Sequence, residues 1–421
     1  MASHPSRFSG DSDDSDRIKW IEVFPSIVLF SALDMSLRRS CIVLAASALA
    51  LTPLGWRASA YLFLRDADMQ GAKFAAFVAE SATSGIPPLR PAPTDQSLGF
   101  DGLTLDGYAE HGWKLVKEPI TLGVGRPLTR LLQPLWLVFG GESLTIRQWL
   151  YVMGGISWNF LIWTFCGSLI TRRSVLKMGV DRDSSWFENI AFVLRRWRSL
   201  VAIPKVPLAF FALTGFTGVI AGFLLRSNWG APLAGLIWPA LLIAGQLLGF
   251  LAVFAAPLFL FMIAAIMTEA DCDEYQAFHR AFSYTLYVLP YLLLHILGAA
   301  AIGTIGALLI DISIDVMFRF AGWLVDINVG PERWNELRQT TADGQPVVYG
   351  MRIISFFEWL AMLMMDGFRY AFLFSAGAAL YLRFRLWVDE TEFDDVHEPN
   401  QLPDVAPDPL RQALDELTSG K

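Results

Sequence analysis

The chain has 421 residues, 54% of them hydrophobic and only 17% charged, with a mean hydropathy of +0.43. A soluble fold of this length cannot bury so much apolar surface, so the composition excludes a water-soluble globular protein and points to an all-α polytopic membrane helix bundle. The formal charge of -7 comes largely from the tails and names no partner, and no nucleic-acid partner is expected.

Residues 1 to about 18 are rich in Ser and Asp and offer almost nothing to bury, so a disordered tail is expected. Asp11, Asp13, Asp14 and Asp16 stand where a secretory signal would be basic and then apolar, which leaves the first span as the signal anchor. Trp20 to Met35 suits a helix lying on the inner membrane surface, or a plain extension of the first span. Residues 1–39 thus read as a cytosolic tail with an interfacial helix.

The bundle is expected over 40–388. A span needs about 20 apolar residues. Candidates fall near 41–64, 150–170, 206–225, 236–267, 286–310 and 359–382, about six in all. The first is interrupted by Pro53 and Arg57, the last carries Asp366 and Arg369, and the fourth is overlong with Pro239 and Pro257 inside it. Two outside segments separate them, 65–149 and 311–355. In the first, Ile86 to Thr94 reads as loop, and Leu128, Leu131, Leu132, Leu135, Trp136 and Phe139 recur at the spacing of an interfacial helix bent at Pro134. Thr145-Ile-Arg-Gln148 then has the form of a capping box. In the second, Met317, Phe320, Ala321 and Leu324 oppose Arg319 on a separate amphipathic stretch from Asp311 to Ile327, before turns at Gly330-Pro331 and Asp343-Gly344. Residues 389–421 read as a solvated acidic tail with one short helix at Leu410 to Leu417.

Lys and Arg in short connections set orientation. Arg38, Arg39, Arg172, Arg173, Lys177, Arg182, Arg195, Arg196, Arg198, Lys205, Arg383 and Arg385 then lie inside, so both termini are expected in the cytosol. Cys41 and Cys166 fall in spans and Cys272 inside, leaving no outside pair for a disulfide.

Two helix starts share one pattern: Ser185-Trp-Phe-Glu188 and Asp273-Glu-Tyr-Gln276, 88 residues apart (273 − 185). Each offers an N-cap acceptor with a carboxyl or amide three residues on, placed for a reciprocal box. At this offset Ile190 aligns with Phe278 and Leu194 with Phe282, the mark of a parallel internal repeat or of convergence on one cap. The two elements differ in charge. Arg195, Arg196 and Arg198 mark the first, and Glu269, Asp271, Asp273 and Glu274 the second, so they form either a docking and lipid-binding surface or two solvated faces.

Gly218 with Gly222 and Gly245 with Gly249 form small-xxx-small pairs that would let helices approach. Ionisable residues within spans are the default place to look for function. Arg57 and Asp366 lie at a similar depth of roughly 10 Å and could pair, or Asp366 could pair with Arg369 one turn away. His295 and Gln246 read as interhelical hydrogen-bonders. His4, His111, His279, His295 and His397 show no i, i+4 pairing, so no metal site is expected. The sequence holds no G-x-S-x-G, H-E-x-x-H or P-loop motif, and no catalytic residue or cofactor is expected.

Leu194-Arg-Arg-Trp-Arg-Ser199, Ala277-Phe-His-Arg-Ala-Phe-Ser-Tyr284 and Tyr381-Leu-Arg-Phe-Arg-Leu-Trp-Val-Asp-Glu-Thr-Glu-Phe-Asp-Asp395 resemble an uncharacterised family of bacterial six-span integral membrane proteins. The chain is more distantly similar to Yip-type and glycerophosphodiesterase-membrane-domain-like bundles. That likeness carries no catalytic residues, and Asp366 and Arg369 lie outside its pattern. The resemblance implies a bacterial inner (cytoplasmic) membrane protein. Its expected partners are the lipid bilayer and either a protein partner or a second copy. The expected function is a non-enzymatic one, organising the membrane or recruiting a partner; the alternative is a transporter or permease using the bundle interior.

Overall fold

The computed structural model describes residues 28–65, 68, 72–83, 127–128, 130–131, 134, 144–339 and 347–397, and every regular element among them is helical. In chain order these are α1 (Val28–Leu37), α2 (Arg39–Phe63), α3 (Ala72–Thr83), α4 (Ile146–Val180), α5 (Trp186–Arg195), α6 (Trp197–Ala202) and α7 (Lys205–Leu224). There follow α8 (Ala231–Val253), α9 (Ala255–Thr268), α10 (Glu274–Tyr287), α11 (Leu289–Val329), α12 (Pro331–Leu337) and α13 (Tyr349–Val388). Six stretches are long and apolar enough to cross a bilayer: α2, α4, Trp197–Leu224, α8, α11 and α13. The chain is an all-α polytopic bundle.

A helix apolar on every side must be surrounded. The run from Gly367 to Leu382 of α13 meets that condition, and every residue in it is buried. Around this post stand α1, α2, α4, α9 and α11. Small residues set the close approaches. A methyl placed on Gly303 of α11 would meet the Phe372 ring at 2.4 Å, and one on Gly167 of α4 would meet Phe374 at 2.2 Å. One on Gly367 would reach the Ile42 carbonyl oxygen at 2.9 Å, so there α13 lies directly on the α2 backbone.

The small-residue pairs singled out from the sequence do none of this. Nothing lies within 4 Å of a methyl at Gly222, Gly245 or Gly249, and only Leu241 approaches Gly218, at 3.9 Å. They sit on α7 and α8, which pack on each other as a hairpin and leave most of their surface uncovered. Phe250, at the base of α8, touches Phe282 with ring centroids 5.7 Å apart.

The overlong fourth span is two helices. Pro257 has no N–H to give the Val253 carbonyl and its ring crowds that oxygen, so the chain turns at Phe254 (φ -97, ψ 12) between α8 and α9. Pro53 and Arg57, by contrast, sit inside a continuous α2.

Two expected boundaries are corrected. The stretch from Asp311 to Ile327 is no separate surface helix but the continuation of α11, which at 41 residues is about 60 Å long. Counting charged residues ended the span too early, because Asp311 is paired inside the bundle and Asp315 with Arg319 one turn on. Gly330 (φ 82) ends the helix, in the left-handed region that favours glycine. Residues 28–37 do not extend α2 but form a helix of their own. The chain breaks at Arg38 (φ -65, ψ 129), and α1 packs into the bundle, with Leu33 2.7 Å from a methyl placed on Gly306. Helix α3, within the first long connection, had no sequence expectation and packs Phe74 and Phe77 near the ring of Tyr151. Residues 1–27, the loop at 86–94, most of the helix expected around 128–139, the turn at 343–344 and the tail beyond 397 lie outside the described residues.

All three expected N-caps form. Only at Thr145 is the box reciprocal: Gln148 N–H donates to Thr145 Oγ1 at 3.4 Å and Thr145 N–H to Gln148 Oε1 at 2.9 Å. At Ser185 and Asp273 the side chain accepts from the third helical N–H, but Glu188 instead takes Arg182 at 3.0 Å. The 88-residue offset also relates the helices that precede these caps, α4 ending at Val180 and α9 at Thr268 (268 − 180). Each unit is therefore a span end, a five-residue link and a capped polar helix.

Candidate functional site

Polar side chains gather at the two ends of the bundle. At the basic end, where α4, α9 and α13 stop, the last carbonyls of α9 have no partner within their own helix. Three donors from elsewhere meet them. Arg172 of α4, only 2% exposed, gives Nη1 to Met267 O at 2.6 Å; the His397 backbone N–H reaches Thr268 O at 2.9 Å; Arg196 Nη2 reaches Glu269 O at 3.3 Å. Cationic donors here also oppose the negative end of the helix dipole. Arg172 uses Nη2 on His397 O at 2.6 Å and lays its guanidinium 4.0 Å from the Phe192 ring centroid.

Arg385 of α13 is the second pin. Its Nη1 and Nη2 hold Asp395 O and Oδ2 at 2.6 and 2.9 Å, while its Nε stands 3.0 Å from Glu269 Oε1, as an ion pair not aligned for a hydrogen bond. Glu269 also accepts from Arg280 Nη1 and from the Tyr381 hydroxyl, each at 3.1 Å. Asp389 accepts from Arg280 at 3.2 Å and from Tyr284. Residues 389–397 are thereby strapped across the end of α9. Burial drives the Cys272 thiol up to about 12, so it stays protonated beside this network.

The proposed docking residues divide unevenly. Arg196 and Glu269 meet through a backbone carbonyl, and the Glu269 carboxylate serves Arg280 and Arg385. Arg195, Arg198 and Asp271 are exposed. Lys205, at the start of α7, pairs with Glu274 of the second unit and holds its carboxyl below the ordinary range.

At the opposite end, Arg369, 3% exposed, takes both oxygens of Asp311 with Nη2, at 2.7 and 2.6 Å, and gives Nη1 to Asp366. Arg130 stands 3.6 Å from Asp366 on its other oxygen. Two carboxylates thus face two guanidiniums, the arrangement that makes buried charge tolerable. Asp366 takes the Arg369 alternative, and Arg57 sits on the exposed face of α2. Gln246 is exposed on α8, in the hairpin rather than among these charges.

Beside this cluster lies a cavity of about 30 Å³ lined by residues that include Thr52, Trp56, Arg130, Asn159, Trp163 and Tyr370. Trp163 stacks on Tyr370 with centroids 4.4 Å apart and planes at 22°. Sequence reasoning passed over Arg130, Asn159 and Asp311 as site residues, and read Arg172 and Arg385 only as orientation signals. Asn159 was the available signal, a strong hydrogen-bonding amide inside an otherwise clean apolar run. Among the described residues no three His, Cys, Asp or Glu side chains group as metal ligands.

No family model matches the chain, and no curated protein or solved structure matches it.

Proposed function

We propose that the chain is a non-enzymatic integral protein of the bacterial inner membrane that organises the bilayer or recruits a protein partner, with both termini in the cytosol. The observation that carries this reading is the α7–α8 hairpin. Its two apolar windows are only 6% and 0% buried by the rest of the chain, so they face lipid or another chain. The bundle interior, by contrast, is packed around α13, and its buried arginines are matched by acceptors. Arg172, Arg173 and Lys177 at the basic end support its cytosolic placement, and the resemblance of Leu194 to Ser199 to bacterial six-span proteins supports the choice of membrane.

A transporter or permease is the second reading. The helix break at Phe254 and the cavity beside Asn159 favour it, since transporters bind substrate where spans are interrupted.

A photo-crosslinking residue at Phe216 or Leu236, which are 66% and 78% exposed, separates the two. Discrete protein or lipid adducts formed in native membranes, without solute flux by purified protein in sealed vesicles, are expected. Flux that vanishes in Asp366→Asn would overturn the organising role in favour of transport.

A further inference from the structure

Helix α5 packs on α4 and buries Asn189, Phe192 and Val193. Its other side is bare. Phe187 is 87% exposed and Leu194 56%, and at seven residues, about two turns, they share one face of the helix. Beside them Arg195 and Arg198 are exposed too. Arg195 uses its Nε on Ala191 O of its own helix, at 3.4 Å, and neither guanidinium pairs with a carboxylate among the described residues. The neighbouring cations are engaged: Arg182 on Glu188, Arg196 on the Glu269 carbonyl and Lys205 on Glu274. In the second unit the one arginine of α10, Arg280, is held by Glu269 and Asp389, so the outward-facing donors belong to the first.

The depth of this bare face follows from the span it leads into. Lys205 is the last charged residue before the apolar run of α7, which at 20 residues fills the hydrocarbon core, so Lys205 marks the membrane boundary. The joints from α5 through α6 to α7 keep compact backbone, with ψ of 4 at Arg196, -46 at Ile203 and -4 at Pro204. Arg198 and Arg195 stand seven (205 − 198) and ten (205 − 195) residues before Lys205, about 10 and 15 Å at the helical rise. Leu208, on the first turn of α7, is 60% exposed, so the uncovered apolar surface of the span continues toward α6.

We propose that the segment formed by α5 and α6 lies on the leaflet at the basic end and binds an anionic phospholipid there. Phe187 and Leu194 enter the acyl boundary, and the guanidiniums of Arg195 and Arg198 take headgroup phosphate oxygens. A guanidinium fork matches phosphate in geometry and charge. The apolar face selects a membrane surface over a soluble polyanion, which has nothing to cover it. The proposal needs only that the chain crosses a bilayer, and it is separate from what covers the α7–α8 hairpin.

Native mass spectrometry of the full chain, released from detergent with phosphatidylglycerol or phosphatidylcholine of identical acyl chains, tests the headgroup contact. The unaltered chain should prefer the anionic lipid about thirtyfold, Arg195→Gln and Arg198→Gln should each remove about fivefold, and the double variant should lose most of the preference. Arg226→Gln, on the turn between α7 and α8, should leave it unchanged. A photo-crosslinking residue in place of Phe187 should form lipid adducts when the purified chain is held in vesicles of the same two lipids. Equal retention of both lipids by the unaltered chain, or a preference unmoved in the double variant, would overturn the proposal. So would an equal fall in Arg226→Gln, which would mean net charge alone, or the absence of lipid adducts at position 187, which would leave α5 in water.

Discussion

Arg172 reaches from the last turns of α4 to the carbonyl oxygen of Met267, 95 residues away in the chain, at 2.6 Å. With its other terminal nitrogen on His397 O, one guanidinium joins α4, the end of α9 and the C-terminal strap.

Arg172→Gln should therefore destabilise the bundle by about 2–4 kcal/mol, since two buried carbonyls lose their donor. Arg172→Lys should recover only part, because an ammonium cannot present a planar fork. Unfolding of the detergent-solubilised protein, followed by loss of helical signal, measures both. Equal stability of the two variants would contradict the forked role.

The Arg385 and Glu269 pair should show coupling. Either single change, Arg385→Leu or Glu269→Leu, removes one of two opposite partners, since Glu269 keeps Arg280 and Arg385 keeps Asp395, and is expected to cost about 1.5–3 kcal/mol. The double variant should cost less than the two together, and a thermodynamic cycle gives the difference. Simple additivity would show that the 3.0 Å approach carries no energy.

His397 makes the strap sensitive to acid. Burial, then Arg196 and Arg172, lower its imidazole below the usual value of about 6.5, with Arg195 adding to this and Asp271 opposing it. A lowered histidine favours the neutral form in the folded chain. Its contribution is therefore present above pH ~6.5 and is lost as pH falls through the lower folded value. The melting temperature of the protein, compared with that of His397→Gln between neutral and mildly acidic pH, should show the larger acid loss in the unaltered chain.

Glycines should separate into two classes. Gly367→Ala drives a methyl to 2.9 Å from the Ile42 carbonyl and should cost about 1–3 kcal/mol through overpacking. Gly222→Ala and Gly245→Ala meet nothing within 4 Å and should be neutral or slightly stabilising, since alanine is the better helix former. Melting of the purified variants tests this, and a fall at Gly222 or Gly245 would reveal a neighbour from another chain.

At the opposite end, Arg369→Met should destabilise by about 3–5 kcal/mol, because Asp311 and Asp366 lose their shared cation. Adding Asp311→Asn and Asp366→Asn should restore much of the loss. Failure of the triple variant to recover would mean that the charges hold more than one another.

Apolar runs made the spans legible, since their length and lack of charge are local properties of the chain. Boundaries were less legible, because a charged residue closes a run on paper while a partner far away keeps it inside the helix. Asp311 is the clear case: its neutralising Arg369 is 58 residues distant. The Ser185 and Asp273 caps were readable from four residues each, but not the diversion of Glu188 to Arg182. Gly218 and Gly245 matched a packing pattern that Gly303 and Gly367 fulfil, and only the three-dimensional neighbours tell them apart. Arg172 and Arg385 were legible as orientation signals, but their burial depends on the strap that crosses them.

The order in which a ribosome delivers these helices bears on α13. The bundle is built around the last of the described helices, so α1, α2, α4, α9 and α11 emerge before the side chains they enclose exist. Until residues past Gly367 arrive, Gly167 and Gly303 face an unfilled axis. The bundle therefore closes only once α13 has been made, and a chain stopped before Tyr349 would be a ring without its hub, open to capture by quality-control proteases.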